Sequence, residues 1–96
     1  MTREWRYSTQ DTSDNSTTVE TVPVLLKGFY VNTTLSAHTV VLKDDTAAVI
    51  TIPASTAAGT KVLFDEGIRF ETSLVIDPDD SSTGSVTLIY DPLEYR

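Results

Sequence analysis

The chain has 96 residues, 14 acidic against 7 basic, for a net charge of -7. One domain fits that length, and the acidic balance argues against binding nucleic acid or an anionic membrane surface, both of which need clustered Lys and Arg. There is no cysteine, so stability has to come from the core or from a partner subunit rather than from disulfides.

No apolar stretch of the signal-peptide kind follows Met1, and no apolar run approaches the roughly 20 residues of a membrane helix. Synthesis and folding in a cytoplasm are expected.

In chain order, the first seven residues carry Trp5 and Tyr7, flanked by Arg3, Glu4 and Arg6. If extended, the two aromatics share a face. Ser8 to Thr18 is wholly polar and cannot offset its ordering entropy by apolar burial. Residues 1–18 are therefore expected to be a polar N-terminal arm, ordered only where its own sheet, a neighbouring copy or a crystal contact holds it. Deleting it is expected to leave a folded domain. Residues 19–92 make the domain and 93–96 a short tail.

From Val19 to Thr34 the alternation places Val22, Val24 and Leu26 on one face, and Phe29, Val31 and the following Leu35 on the other parity. The slip falls at Lys27-Gly28, where a glycine inside a strand marks a bulge. Pro23, lacking an N–H, sits at a strand start or an edge. Thr39–Lys43 and Ala47–Ile52 read as a hairpin over Asp44-Asp45-Thr46, with Val40 and Leu42 answered by Ile50 and Ile52. Pro53 and Gly59 leave no room for a helix between them.

The strongest pattern is residues 59–76. It predicts a hairpin: Val62 and Phe64 on one strand, then Ile68, Phe70, Leu74 and Ile76 on the other, joined by Asp65-Glu66-Gly67 with Gly67 at positive φ. Asp77 to Gly84 is rich in turn residues. Ser85–Tyr90 is the last strand, with Val86, Leu88 and Tyr90 inward. The fold class is all-β, a single small antiparallel β-sandwich or partly open barrel of about seven short strands, with no helix.

Catalytic signatures are weak. His38 is the only histidine, and there is neither a G-x-S-x-G elbow nor a cysteine nucleophile. Asp44-Asp45, Asp65-Glu66 and Asp77-x-Asp79-Asp80 offer oxygens to a cation, but no Glu closes an EF-hand loop. Asp also favours turns on its own account. No enzyme activity, metal or cofactor is expected. Phe29, Phe64, Phe70 and Tyr90 are assigned to the core. Trp5, Arg6, Tyr7, Leu93 and Tyr95 remain as candidate partner-binding residues, since aromatics and Arg are favoured at interface centres.

LLKGFYVNTTLS, ITIPASTAAGTKVLF with GIRFETSLVI, and TGSVTLIYDP together resemble small structural proteins of tailed bacteriophages. In those proteins a β-sandwich carries a G-t-x-x-x-F … G-I-x-F hairpin and ends in V-T-x-x-Y. The corresponding residues are Gly59, Thr60 and Phe64, then Gly67, Ile68 and Phe70, then Val86, Thr87 and Tyr90, within about residues 24–92. The resemblance implies a virion role such as head decoration or cement, often as a trimer on the capsid, with capsid or tail structural proteins as partners. It carries over no functional residue. A tail or fibre module binding a receptor or carbohydrate is the rival reading, with Trp5, Tyr30 and Tyr95 as spare aromatics.

Overall fold

The computed structural model describes residues 5–13 and 15–93. Tyr95 and the rest of the 93–96 tail beyond Leu93 lie outside the described residues, as do residues 1–4 of the N-terminal segment.

Among the described residues, eight strands form two four-stranded antiparallel sheets: β1 (Arg6–Asp11), β2 (Thr17–Glu20), β3 (Val24–Thr33), β4 (Val40–Asp44), β5 (Ala47–Ile52), β6 (Lys61–Phe70), β7 (Leu74–Pro78) and β8 (Ser85–Pro92). Sheet A has the order β1-β8-β3-β6 and sheet B the order β2-β7-β4-β5. No described residue is helical. The chain is an all-β sandwich.

The core lies between the sheets. Val24, Leu26, Phe29 and Val31 come from β3, Val86, Leu88 and Tyr90 from β8, and Phe70 from β6; Val40, Leu42, Ile52, Leu74 and Ile76 face them from sheet B. The parity slip in β3 is real. Leu26 pairs with Tyr90 and Gly28 with Ile89, leaving Lys27 as the extra residue. That one residue lets Val24 and Leu26 share the core with Phe29 and Val31. Gly28 is required here, because a Cβ would run into the Val62 carbonyl oxygen and the Leu63 side chain. The β4–β5 hairpin has the predicted pairs, Val40 with Ile52 and Leu42 with Ile50.

One expectation is corrected. Asp65-Glu66-Gly67 is not a hairpin turn. β6 runs through it, and Phe64 to Gly67 form a four-residue bulge opposite Lys27 alone, between the pairs Leu26–Ile68 and Gly28–Leu63. Gly67 has the predicted positive φ, at 81°, but uses it to turn the bulge. The reversal comes later, at Glu71-Thr72-Ser73, where the chain leaves sheet A for sheet B. Asp44 makes that crossing. Its Oδ2 accepts the Glu71 N–H at 2.8 Å, and its Oδ1 accepts those of Thr72 at 2.9 Å and Ser73 at 3.3 Å. Phe64, assigned to the core, is only partly buried against it.

The described part of the N-terminal segment is held by the domain's own sheets, one of the alternatives the sequence left open. Its polar residues are the domain's own edge strands: β1 pairs with β8 from Arg6–Tyr90 to Asp11–Ser85, and β2 with β7. Thr12 is buried, and its N–H donates to the Gly84 carbonyl at 2.9 Å. β1 needs no apolar alternation, because its ladder bonds come from β8 and its inward side chains, Arg6, Ser8 and Gln10, cover a rim rather than fill the centre. The Tyr90 hydroxyl donates to Glu20 at 3.0 Å, with Arg6 at 3.8 Å from the same carboxylate.

Candidate partner-binding surface

The register assigns each sheet A residue to a face. With Val86, Leu88 and Tyr90 inward, the outward residues of β8 are Thr87 and Ile89. Tyr7 pairs with Ile89, Ile89 with Gly28, and Gly28 with Leu63. One row of the outer face therefore reads Tyr7, Ile89, Gly28, Leu63 across all four strands. The neighbouring row reads Thr9, Thr87, Tyr30, Lys61. Trp5 precedes β1 on the same face. Its ring carries the Lys27 ammonium at 5.9 Å from its centroid, within cation–π range.

The result is an apolar surface open to solvent. Tyr7 is 73% exposed, Leu63 50%, Trp5 39% and Tyr30 38%. Taking a large side chain as roughly 150–250 Å², they expose on the order of 400 Å² together, the size of patch that on a monomer is often functional. With no side chain at Gly28, the Leu63 side chain lies across the β3 backbone there. Lys27 and Lys61 flank the patch, and neither is ion-paired with a described carboxylate. The Lys27 ammonium donates to the Asp65 carbonyl at 3.1 Å.

Of the candidate partner-binding residues, Trp5 and Tyr7 stand on this surface. Arg6, between them, points inward to Glu20. Leu93 is half-buried, its N–H donating to the Pro23 carbonyl at 2.7 Å, at the end of sheet A where β1 begins and β8 finishes. Sequence reasoning missed Leu63 and Ile89 and kept Tyr30 apart from Tyr7. Their common signal was outward parity, which becomes a surface only once the strand order is known.

The other side offers less. An open depression of about 330 Å³ on sheet B is lined by Thr39, Val41, Asp77, Pro78, Asp79 and Asp80. Two of its carboxylates are engaged: Asp77 with Lys43 at 2.7 Å, and Asp79 with His38 at 3.2 Å and with the Asp80 N–H at 3.0 Å. Among the described residues no group of three or more His, Cys, Asp or Glu could hold a metal ion, and no helix is long and apolar enough to cross a membrane. Asp44 ionises below the ordinary carboxylate range: burial pushes it up, and the three backbone N–H bonds outweigh that. Tyr90 is pushed up to about 12, first by burial and then by its bond to Glu20. Both groups are structural.

No family model, curated protein or solved structure matches the chain.

Proposed function

We propose that the chain is a structural protein of a tailed-bacteriophage virion, a capsid decoration or cement protein that binds and stabilises the shell as an oligomer. The virion setting rests on the sequence resemblance. The observation that carries the binding role is the outer face of sheet A, where Trp5, Tyr7, Tyr30 and Leu63 are exposed side by side on a small acidic domain.

Aromatic anchors beside cations are the composition of an interface centre. Lys27 and Lys61 would meet acidic groups at the rim of the partner surface, giving orientation more than affinity. Each contact is modest, and a shell holds many copies, so occupancy adds up across the lattice. The remaining acidic surface keeps free subunits in solution before assembly.

The test uses shells assembled from the major capsid protein encoded in the same genome. Purified protein is added, and occupancy is measured by sedimentation and gel densitometry. The Tyr7→Ala/Leu63→Ala double variant should bind at least tenfold more weakly. Wild-type occupancy by that variant would remove the face from the argument.

A second reading, a tail or fibre module that binds carbohydrate, is favoured by the same aromatics, since Trp5, Tyr7 and Tyr30 together could form a stacking platform. A glycan array distinguishes it: saccharide binding lost in Tyr30→Ala would favour that module over the shell.

A further inference from the structure

We propose that the free edge of β1 pairs, antiparallel and about a two-fold axis, with β1 of a second copy of this chain, joining two A sheets into one of eight strands. The inference does not rest on the virion reading.

Sandwich edges are normally guarded against such pairing by bulges, charges, prolines or shortness. Three of the four edges here are guarded. β6 is interrupted by its four-residue bulge, with charged Asp65 and Glu66 in it. β5 carries an extra residue, Val49, between the pairs Leu42–Ile50 and Lys43–Ala48, and runs into Pro53. β2 has four residues and a slip between Thr18 and Glu20. β1 pairs regularly with β8 over six residues, with no bulge, no proline and no charge between Arg6 and Asp11.

The backbone bonds available at that edge follow from the ladder. Thr12 directs its N–H at Gly84, so by antiparallel alternation Gln10, Ser8 and Arg6 also bond towards β8. Tyr7, Thr9 and Asp11 then turn their N–H and C=O groups outward. Centring the two-fold axis on Thr9 satisfies all three: Thr9 meets Thr9 of the second copy, and Tyr7 meets Asp11 in both directions, for about six new backbone hydrogen bonds.

The antiparallel sense also avoids like charges: about the two-fold axis Asp11 lies opposite Tyr7 of the second copy, whereas parallel in-register pairing would stack Asp11 on Asp11 on the same face. The contact is narrow, at the small end of specific interfaces. The dimer is thus expected to dissociate on dilution.

The test is the solution mass of the full chain by light scattering and analytical ultracentrifugation over a concentration series. The mass should rise from 10.5 kDa towards twice that value. Thr9 lies on the proposed axis, so Thr9→Lys places like charges opposite each other, as does Thr9→Glu. Each variant alone should stay monomeric at concentrations where wild type dimerises, and an equimolar mixture of the two should dimerise again. Circular dichroism checks that both stay folded. Should either unfold, Thr9→Pro serves instead, because the Thr9 N–H takes no part in the bond to β8; it should be monomeric. A wild-type chain that remains monomeric to about 1 mM, forms a trimer, or keeps its dimer in Thr9→Lys overturns the proposal. Shell binding can fail with the dimer intact, and the reverse, so the two readings fall separately.

Discussion

Asp44→Ala should be among the most damaging substitutions of a partly exposed side chain in this protein. Its carboxylate gathers three backbone N–H groups, those of Glu71, Thr72 and Ser73, at 2.8 to 3.3 Å. These turn the chain from sheet A into sheet B. Bonds to a charged acceptor are worth roughly 1.5–3 kcal/mol each when sheltered, and Glu71 and Thr72 are exposed enough for water to replace much of theirs. Ser73 is buried, so its N–H bears the cost of lost partnership. We expect a loss of about 2–3 kcal/mol, which for a domain of this size lowers Tm by roughly 10–20 °C. Asp44→Asn keeps one acceptor oxygen and should lose about half as much. Urea unfolding with an unchanged m-value is the assay. The pH dependence has a definite sign. The folded-state pKa is depressed below the ordinary 3.8, so the charged form's contribution is fully present above that value and is lost as pH falls through the folded pKa. The gap between wild type and Asp44→Ala should therefore narrow in acid. A variant within 0.5 kcal/mol of wild type at pH 7, or a gap that does not change with pH, would refute the reasoning.

Gly28→Ala should cost about 3 kcal/mol, read from the urea midpoint, because the new methyl group meets the Val62 backbone and not only the end of a side chain. Tyr90→Phe removes the bond to Glu20 and should cost about 1 kcal/mol at neutral pH. In wild type, ultraviolet titration should show one tyrosine ionising near 12; since that folded-state value is raised above 10, the stability it contributes is present below pH 10 and lost as pH rises towards 12. Deleting residues 1–18 should abolish cooperative thermal unfolding, because it bares the edges of β8 and β7; a truncated chain with a wild-type melt would restore the detachable arm. Tyr7→Ser and Leu63→Ser should each change stability by less than about 0.5 kcal/mol while raising solubility, measured by precipitation with ammonium sulfate.

The fold was legible where a residue's neighbours in sequence are also its neighbours in the sheet. The β4–β5 hairpin and the shift at Lys27-Gly28 follow from local alternation and from one residue without a side chain. The misreading of Asp65-Glu66-Gly67 has a physical source. Those residues favour positive φ and tight turns, and Gly67 does take positive φ, but a four-residue bulge needs the same chemistry as a turn. What separates the two is the location of the true reversal, and its acceptor, Asp44, is 27 residues from Glu71. β1 was illegible for the opposite reason. STQ has no apolar period, and its strand character comes from the β8 backbone, 78 residues away at the Thr9–Thr87 hydroxyl contact. The candidate surface shares that difficulty. Tyr7, Ile89 and Leu63 are scattered along the chain and become one row only through the order β1-β8-β3-β6.

That row also explains why an acidic protein can have a face that is not acidic. Arg6 and Lys43 are engaged with Glu20 and Asp77, and Arg69 with Glu71. Among the described residues, Lys27 and Lys61 stand beside the aromatics of sheet A without such a partner, while the acidic loop at Asp77, Asp79 and Asp80 belongs to sheet B. Two copies set face to face on sheet A would oppose lysine to lysine, so the face itself does not favour self-association. Edge pairing through β1 leaves both apolar faces on the same side of the joined sheet, free for another surface. The two proposed contacts thus use different groups, backbone at the edge and side chains on the face. Thr9 shares its row of the outer face with Tyr30 and Lys61, so Thr9→Pro, which adds no charge there, is the variant that should weaken shell binding through the lost second attachment, whereas Tyr7→Ala/Leu63→Ala should weaken each attachment directly and leave the solution dimer in place.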